Sequence, residues 1–467
     1  MIKRQPPNFR YQSIPFAPVD AECTHTNFDV DGQIPHELNG LYVRNGPNPA
    51  GKIGRRQHYF SGDGMVHGVK LQSGQAVWYR NRFIKVGEVP KALGVSDPGG
   101  PISSGLDVSP NTNIVKFGRH LYASIEAGPS LVLLTDELET VRRSNLNGVL
   151  SKGFTGHHKI DPTDGDIHAI IYSNKLGKNA LYVRLLPGGE LINEVKIPLA
   201  GRTQIHDMSI TENYAIVYDL NVEFDWLMLL RTSLPIRWKA NRPSRVGVIP
   251  KDGSTSDIRW FNVRPSYVYH PMNAFETEDG KLILDVSRYA RAAEKDFYGP
   301  LGDVNPLIFR WTIDLEAAGS SAQEELLFDL SLDFPKVSPL VEGRPYRFGY
   351  GVEATTKPSF DAAVKMDLEN ATSERQSFDG GMASELTFIP REHSRAEDDG
   401  WLIGFVYQPE RHRSRLVIFD AQRFSEPPQA SIWIPEQHVP IGTHGGWFPD
   451  ALSYRLTERK SSPRIAE

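Results

Sequence analysis

Short strand-like runs, cut by glycine and proline, dominate this chain and most limit what it can fold into. GLYVRNG (40–46), QAVWYRNRFI (75–84), HLYASIEA (120–127), DIHAIIYS (166–173), NALYVRLL (179–186), YAIVYDL (214–220), KLILDVSRY (281–289), WLIGFVYQ (401–408) and RLVIFDA (415–421) are rich in β-branched, aromatic and other apolar residues. Turn pairs such as Asp252-Gly253, Asp279-Gly280 and Asp399-Gly400 bound several of them. Helical character is confined to VPKALG (89–94) and YARAAEKDF (289–297). An all-β chain of 467 residues must close on itself or split, because open sheet edges invite pairing with other chains. No linker, low-complexity tract or charge block divides it. The expectation is one all-β domain over residues 1–467, a seven-bladed β-propeller with about 67 residues per blade and cap segments inserted between strands. No sequence repeat marks the blades.

Net charge is −5, from 52 basic and 57 acidic residues, so nothing favours nucleic acid as a partner. Cys23 is the single cysteine and cannot form an intramolecular disulfide. The basic start MIKRQPPNFRYQSIPFAPVD has no apolar segment behind it, and no window is long enough to span a bilayer, so a cytoplasmic, monomeric chain is expected.

Four of the fourteen histidines stand in strand-rich settings: His157 in TGHHKID, His206 in QIHDMSI, His270 in VYHPMNAF and His444 in GTHGGWFP. Their spacings of 49, 64 and 174 residues amount to about one, one and three blades. A propeller brings the inner strands of successive blades to one axis, where such histidines can converge. Imidazoles suit zinc, copper, iron or nickel, and spacing alone does not choose among them or exclude ordinary hydrogen-bonded histidines. Adjacent residues on a strand face opposite ways, so only one of His157 and His158 can point to any one site.

Five local words occur in order: GLYVRNGPNP (40–49), HYFSGDGMVHGV (58–69), HDMSI (206–210), YHPMNAF (269–275) and HGGWFP (444–449). Together they resemble the signatures of the carotenoid cleavage oxygenase family, which also includes stilbene-cleaving dioxygenases and a retinoid isomerohydrolase. The resemblance runs from about residue 30 to 450. It implies a seven-bladed propeller, a loop-and-helix cap over one face, and a nonheme Fe(II) held on the axis by His157, His206, His270 and His444. The family pattern around the first of these is His-Pro-Lys, so His157 matches the ligand and His158 stands in the proline's place. His58 and His67 fall in the family's Gly-Asp-Gly stretch and read as structural.

The family backs three ligand histidines with glutamates. Glu126 in ASIEAG and Glu385 in ASELTFIP match two of them, and Asp333 in LDFPKVSP departs from the third, one methylene shorter. The histidine contact at Asp333 is then longer, bridged by water, or restored by a backbone shift. Thr112 in SPNTNIV matches a threonine whose methyl crowds one of the two octahedral positions left open, leaving the other for O2.

The activity implied is oxidative cleavage of a conjugated C=C bond of a carotenoid or apocarotenoid to two carbonyl products. The alternatives are a stilbene-cleaving dioxygenase and, more remotely, a hydrolytic or non-catalytic propeller. Stilbene-cleaving members hold the substrate phenol with a tyrosine and a lysine, and those places align near Phe83 and on Ile125, with Lys85 and Lys116 nearby. Neither aligned residue handles a proton, which favours an apolar polyene. The segment 223–245, EFDWLMLLRTSLPIRWKANRPSR, crowds Phe224, Trp226, Leu227, Met228, Leu229, Leu230, Leu234, Ile236 and Trp238 beside Arg231, Arg237, Lys239, Arg242 and Arg245. That composition suits peripheral contact with a membrane, and also an ordinary core segment with solvated charges.

Overall fold

The computed structural model describes residues 15–295, 304–317, 319–353, 360–436 and 438–450. Seven antiparallel sheets are arranged as a seven-bladed β-propeller, with a separate two-stranded ribbon, Val222–Phe224 and Ile236–Trp238, inserted in the fourth blade. In blades two to six the first strand lies innermost: Asn113–Phe117, His158–Ile160, Met208–Ile210, Tyr267–Glu276 and Leu332–Lys336. The termini close the ring twice. Gly445–Pro449 adds the inner strand to the first blade by pairing with Gly40–Pro47, and Asp29–Gly32 adds the outer strand to the seventh by pairing with Ala430–Trp433. Such closure removes the open ends that an isolated stack of sheets would expose.

Each blade is a sandwiched layer, which explains why its middle strands read as nearly unbroken apolar runs. In Tyr214–Asp219, Ala215 and Val217 pack toward the third blade while Ile216 and Tyr218 pack toward the fifth. Leu416 and Ile418 face the first blade, and Val417 and Phe419 face the sixth. A hydrophobic cluster fills every one of the seven blade-to-blade interfaces. Fully burying one such side chain contributes about 1.5–3 kcal/mol, so the ring is held by many comparable layers rather than one central core.

All nine strand-like runs form strands. VPKALG yields a one-turn helix, Val89–Leu93, ended by Gly94 in the left-handed region. The second expected helix does not form in its described part: Lys281–Tyr289 continues as strand through Tyr289, and Ala293 has a φ of 52°, which no helix accommodates. Residues 296 and 297 of that expectation lie outside the described residues. His67 Nδ1 bonds the Tyr79 hydroxyl at 2.9 Å, and His58 Nδ1 accepts from the Phe60 amide at 3.1 Å, both far from the axis imidazoles in role.

Candidate metal centre

Three of the four histidines sit just before inner strands, and the fourth lies near the start of one. His157 precedes His158–Ile160, His206 precedes Met208–Ile210, and His444 precedes Gly445–Pro449. His270 lies within Tyr267–Glu276, where the register with Lys281–Tyr289 shifts on both sides of Pro271. Proline has no N–H to give a ladder, and the irregularity re-aims the side chain before it. Two glycines are required by close approach. A Cβ on Gly445 would run into the Val43 carbonyl oxygen, and one on Gly156 would meet Thr112 Cγ2 at 2.6 Å and Glu126 Cγ at 3.1 Å. The chain before His444 is also fastened: the Thr443 hydroxyl donates to the Thr112 carbonyl at 2.6 Å, and the His444 amide donates to the same carbonyl at 3.0 Å.

All four imidazoles are buried, and one ring nitrogen from each falls within 4.8 Å of the others. His206 Nε2 lies 3.2 Å from His270 Nε2, which lies 3.3 Å from His444 Nε2. His157 packs its ring 4.4 Å from His206 and 4.3 Å from His444, centroid to centroid, and its buried Nε2 has no hydrogen-bond partner among the described residues.

Three carboxylates stand behind three of the rings. Glu126 contacts His206 Nδ1, Asp333 Oδ1 lies 2.8 Å from His270 Nδ1, and Glu385 Oε1 lies 3.1 Å from His444 Nδ1. Each carboxylate is itself held. Tyr172 donates to Glu126, Tyr289 donates to Asp333, and the Gly445 amide donates to Glu385 at 3.2 Å. Asp333 thus reaches its histidine directly despite the missing methylene. Its strand shifts register between Asp333 and Lys336, and Phe334 between them has a φ of 50°. The contact is thus neither lengthened nor bridged, and it is made from a strand that is irregular at this point.

Burial alone would push all three carboxyls up. The neighbouring imidazoles hold Glu126 and Asp333 below their ordinary values instead, and Lys336 with His444 holds Glu385 far below. Burial lowers His157 well below an ordinary imidazole, reinforced by the other three rings, and lowers His444 to about 4 against the pull of Glu385. His206 is raised, because Glu126 outweighs its burial.

These features fit a metal ion. When the rings are neutral and each Nδ1–H is directed at its carboxylate, the facing Nε2 atoms are lone pairs, and lone pairs 3.2–3.3 Å apart have no proton to share. A cation between them resolves the conflict. Metal–nitrogen bonds of about 2.1 Å would set neighbouring nitrogens about 3 Å apart, close to the 3.2 and 3.3 Å observed, so His157, His206, His270 and His444 could hold one ion.

A cavity of about 60 Å³ opens beside the imidazoles, lined by aromatic and aliphatic side chains including Tyr59, Phe60, Phe334, Phe360 and Ile441. Thr112 also lines it. Phe83 and Ile125 do not, among the described residues: Phe83 is buried with Val19, Met65 and Val89, and Ile125 is half-buried outside the lining. Among the described residues no lysine lines the cavity, while two tyrosines do: Tyr269 and Tyr59, whose hydroxyl donates to the Ile441 carbonyl. His158, one residue past His157, lies on a strand paired with Ile167–Tyr172, its ring 6.4 Å from Phe154, and is outside the imidazole group.

Several participants were not singled out in the sequence. Tyr172 and Tyr289 lock the carboxylates, Lys336 lies 2.6 Å from Glu385, and Asp207 lies 3.7 Å from His157 Nδ1 while Lys159 holds it at 3.2 Å. Asp207 follows His206 directly, the one signal the sequence offered.

Comparison with known proteins agrees with this architecture. A family model described as Retinal pigment epithelial membrane protein matches residues 16–449. The chain is 36% identical to the carotenoid cleavage oxygenase of Mycobacterium tuberculosis, covering 93% of this chain and 96% of that protein. It is 33% identical to the apocarotenoid-15,15'-oxygenase of Synechocystis sp., covering 90% and 92%. The crystal structure of the cobalt-substituted Synechocystis ACO superimposes with a TM-score of 0.80 at 30% identity, over 93% of this chain and 97% of that one. The lignostilbene dioxygenase of Pseudomonas brassicacearum shares the fold with a TM-score of 0.84 at 24% identity, over 95% and 99%. The chain belongs to the carotenoid cleavage oxygenase family.

Proposed function

We propose that this protein is an Fe(II)-dependent dioxygenase that cleaves one conjugated C=C bond of a carotenoid or apocarotenoid, consuming one O2 and giving two carbonyl fragments. The observation that carries the reading is the group of four buried imidazoles, three of which, His206, His270 and His444, turn Nε2 toward one another and line an aromatic-walled cavity. That the Synechocystis relative is described as cobalt-substituted supports a divalent metal in this family.

His157, His206, His270 and His444 would hold the iron, and Glu126, Asp333 and Glu385 fix three of the rings in the tautomer that presents Nε2. When bound, iron supplies the reactivity toward O2 that a closed-shell alkene lacks. The Thr112 methyl packs close to Gly156, the residue before His157, and Thr112 lines the cavity, where it would crowd one side of a bound ion. Phe60, Phe334 and Phe360 line the cavity and would pack against the flat polyene beside the iron, so that geometry alone selects the bond. Among the described residues the lining holds tyrosines but no lysine, so the tyrosine–lysine pair that stilbene-cleaving relatives use is incomplete, which favours a polyene over a stilbene.

Segment 223–245 divides between the two roles its composition allowed. Met228, Ile236 and Trp238 are buried as core. Lys239 pairs with Asp225, and Arg242 and Arg245 pair with Asp219, so these charges have structural partners. Trp226, Leu227, Leu229 and Leu230 instead project from the short helix Trp226–Leu230, exposed by 44, 74, 47 and 71%. The helix is fastened beside the cavity, since the His58 amide donates to the Ser233 hydroxyl at 2.8 Å and the next residues, Tyr59 and Phe60, line it. No helix of the described residues is long and apolar enough to cross a membrane. The reading is peripheral contact through this tip, which would bring a water-insoluble substrate to the cavity. Incubating the iron-loaded protein with β-carotene, an apocarotenal and resveratrol, and identifying the carbonyl products, tests the substrate class. Cleavage of resveratrol alone would overturn it.

A further inference from the structure

The three carboxylates behind the imidazoles differ in the charge of their own partners. Glu126 is held by neutral groups, the Tyr172 hydroxyl and the Gln204 amide at 3.4 Å. Asp333 is held by the Tyr289 hydroxyl and the Phe334 amide at 2.8 Å. Glu385 alone receives a full positive charge. Lys336 Nζ lies 2.6 Å from its Oε1, the same oxygen that lies 3.1 Å from His444 Nδ1. An oxygen already accepting from an ammonium has less electron density to give an imidazole N–H, so His444 is the least strongly backed of the three rings. Lys336 reaches Glu385 from the strand Leu332–Lys336, whose register shift also delivers Asp333 to His270. One irregular strand therefore governs two imidazoles in opposite senses.

We propose that Lys336 is a positioning residue that sets the charge felt at the metal, neutralising Glu385 behind His444 and so favouring the ferrous over the ferric state. The proposal rests on the reading that iron occupies the four-histidine site. An oxygenase that works in air from the ferrous state gains from a centre that resists loss of an electron. Along the chain of contacts the ammonium is at most about 8 Å from His444 Nε2. A unit charge about 10 Å from the metal at an effective dielectric of 20 changes the ferric-to-ferrous ratio by roughly tenfold, about 59 mV for a one-electron couple. The Lys336 side chain is 40% exposed and Glu385 2%, so removing the ammonium leaves the buried carboxylate charged and facing His444.

The test is a potentiometric titration of the iron-loaded protein, following the ferric signal by electron paramagnetic resonance, for the wild type, Lys336→Met, Lys336→Gln and Lys336→Arg. Both neutral variants should bind one iron per chain, show a midpoint potential lower by the equivalent of about tenfold, and oxidise faster in air, while Lys336→Arg stays with the wild type. Neutral variants that load fully with iron at an unchanged potential would overturn the role of Lys336 and leave the iron site standing. A Lys336→Arg variant shifted as far as Lys336→Met would also overturn it, because charge would not be the cause. A wild type that binds no iron would overturn the metal reading and this proposal together.

Discussion

Replacing Asp333 by Asn keeps the side chain's shape and removes its charge. In the native structure Oδ1 is 2.8 Å from His270 Nδ1, and the two side chains are only 5% and 9% exposed. A hydrogen bond to a charged group contributes about 1.5–3 kcal/mol and a neutral one about 0.5–1.5, so the substitution should cost about 1–2 kcal/mol of support for His270. The amide would also set an N–H₂ donor against either the Tyr289 hydroxyl or the Phe334 amide, both of which now donate to Asp333. The expected result is a loss of Fe(II) affinity of about tenfold, inside the ~10- to 100-fold usual for such partners. Anaerobic equilibrium dialysis against a chelator of known affinity measures it, with the apo-protein melting temperature as a check on folding. An affinity within twofold of the wild type would show that the Asp333–His270 contact does not support the metal.

Further outcomes follow from the same geometry. Alanine at His157, His206, His270 or His444 should lower iron occupancy and abolish turnover, whereas His158→Ala should do neither; equal damage at His158, measured as iron per chain, would refute the choice between the two. Gly156→Ala should impair iron loading, because its Cβ meets Thr112 Cγ2 at 2.6 Å, and adding Thr112→Ala should restore part of the loss in a double-mutant cycle. His168 is buried and held down to about 3, chiefly by burial, against an unfolded value near 6.5, so the unfolded chain takes up the proton first. Its contribution to stability is complete above pH 6.5 and is lost progressively as the pH falls toward 3, and apo His168→Gln should show a flatter melting temperature across pH 6.5 to 4 than the wild type. Changing Leu227, Leu229 and Leu230 to Ser should reduce co-sedimentation with anionic liposomes without loss of iron; a wild type that stays in the supernatant with vesicles of every composition would remove the membrane role.

The blades were legible because each strand is buried on both faces, which leaves apolar runs such as YAIVYD that no solvent-facing pattern interrupts. The repeat was not legible, because each blade-to-blade interface is filled by its own residues. His67–Tyr79 and His168–Tyr182 share one cross-strand relation, yet they sit on different strand pairs of the first and third blades and so mark no repeat. The four histidines and their carboxylates could be named from local words. Lys336 and Asp333 could not be placed together, since residues three apart on a regular strand face opposite ways, and only the register shift brings both toward the axis. The tyrosine locks come from neighbouring strands, contacts that no local pattern encodes. Phe83 was assigned to the channel by alignment through a variable stretch, and the structure instead buries it with Val19 and Met65. Tyr289 falls in both the strand-like run 281–289 and the helix-like run 289–297; it ends the strand and donates to Asp333.

The most direct test of the central claim is cleavage under ¹⁸O2. The iron-loaded protein is incubated briefly with an apocarotenal, and both fragments are analysed by mass spectrometry before their carbonyls exchange with water. Two new carbonyl groups, each carrying one ¹⁸O, with no products from His206→Ala, are the result expected of a dioxygenase at this site. Intact substrate after incubation with fully iron-loaded protein, or label missing from both fragments, would contradict it.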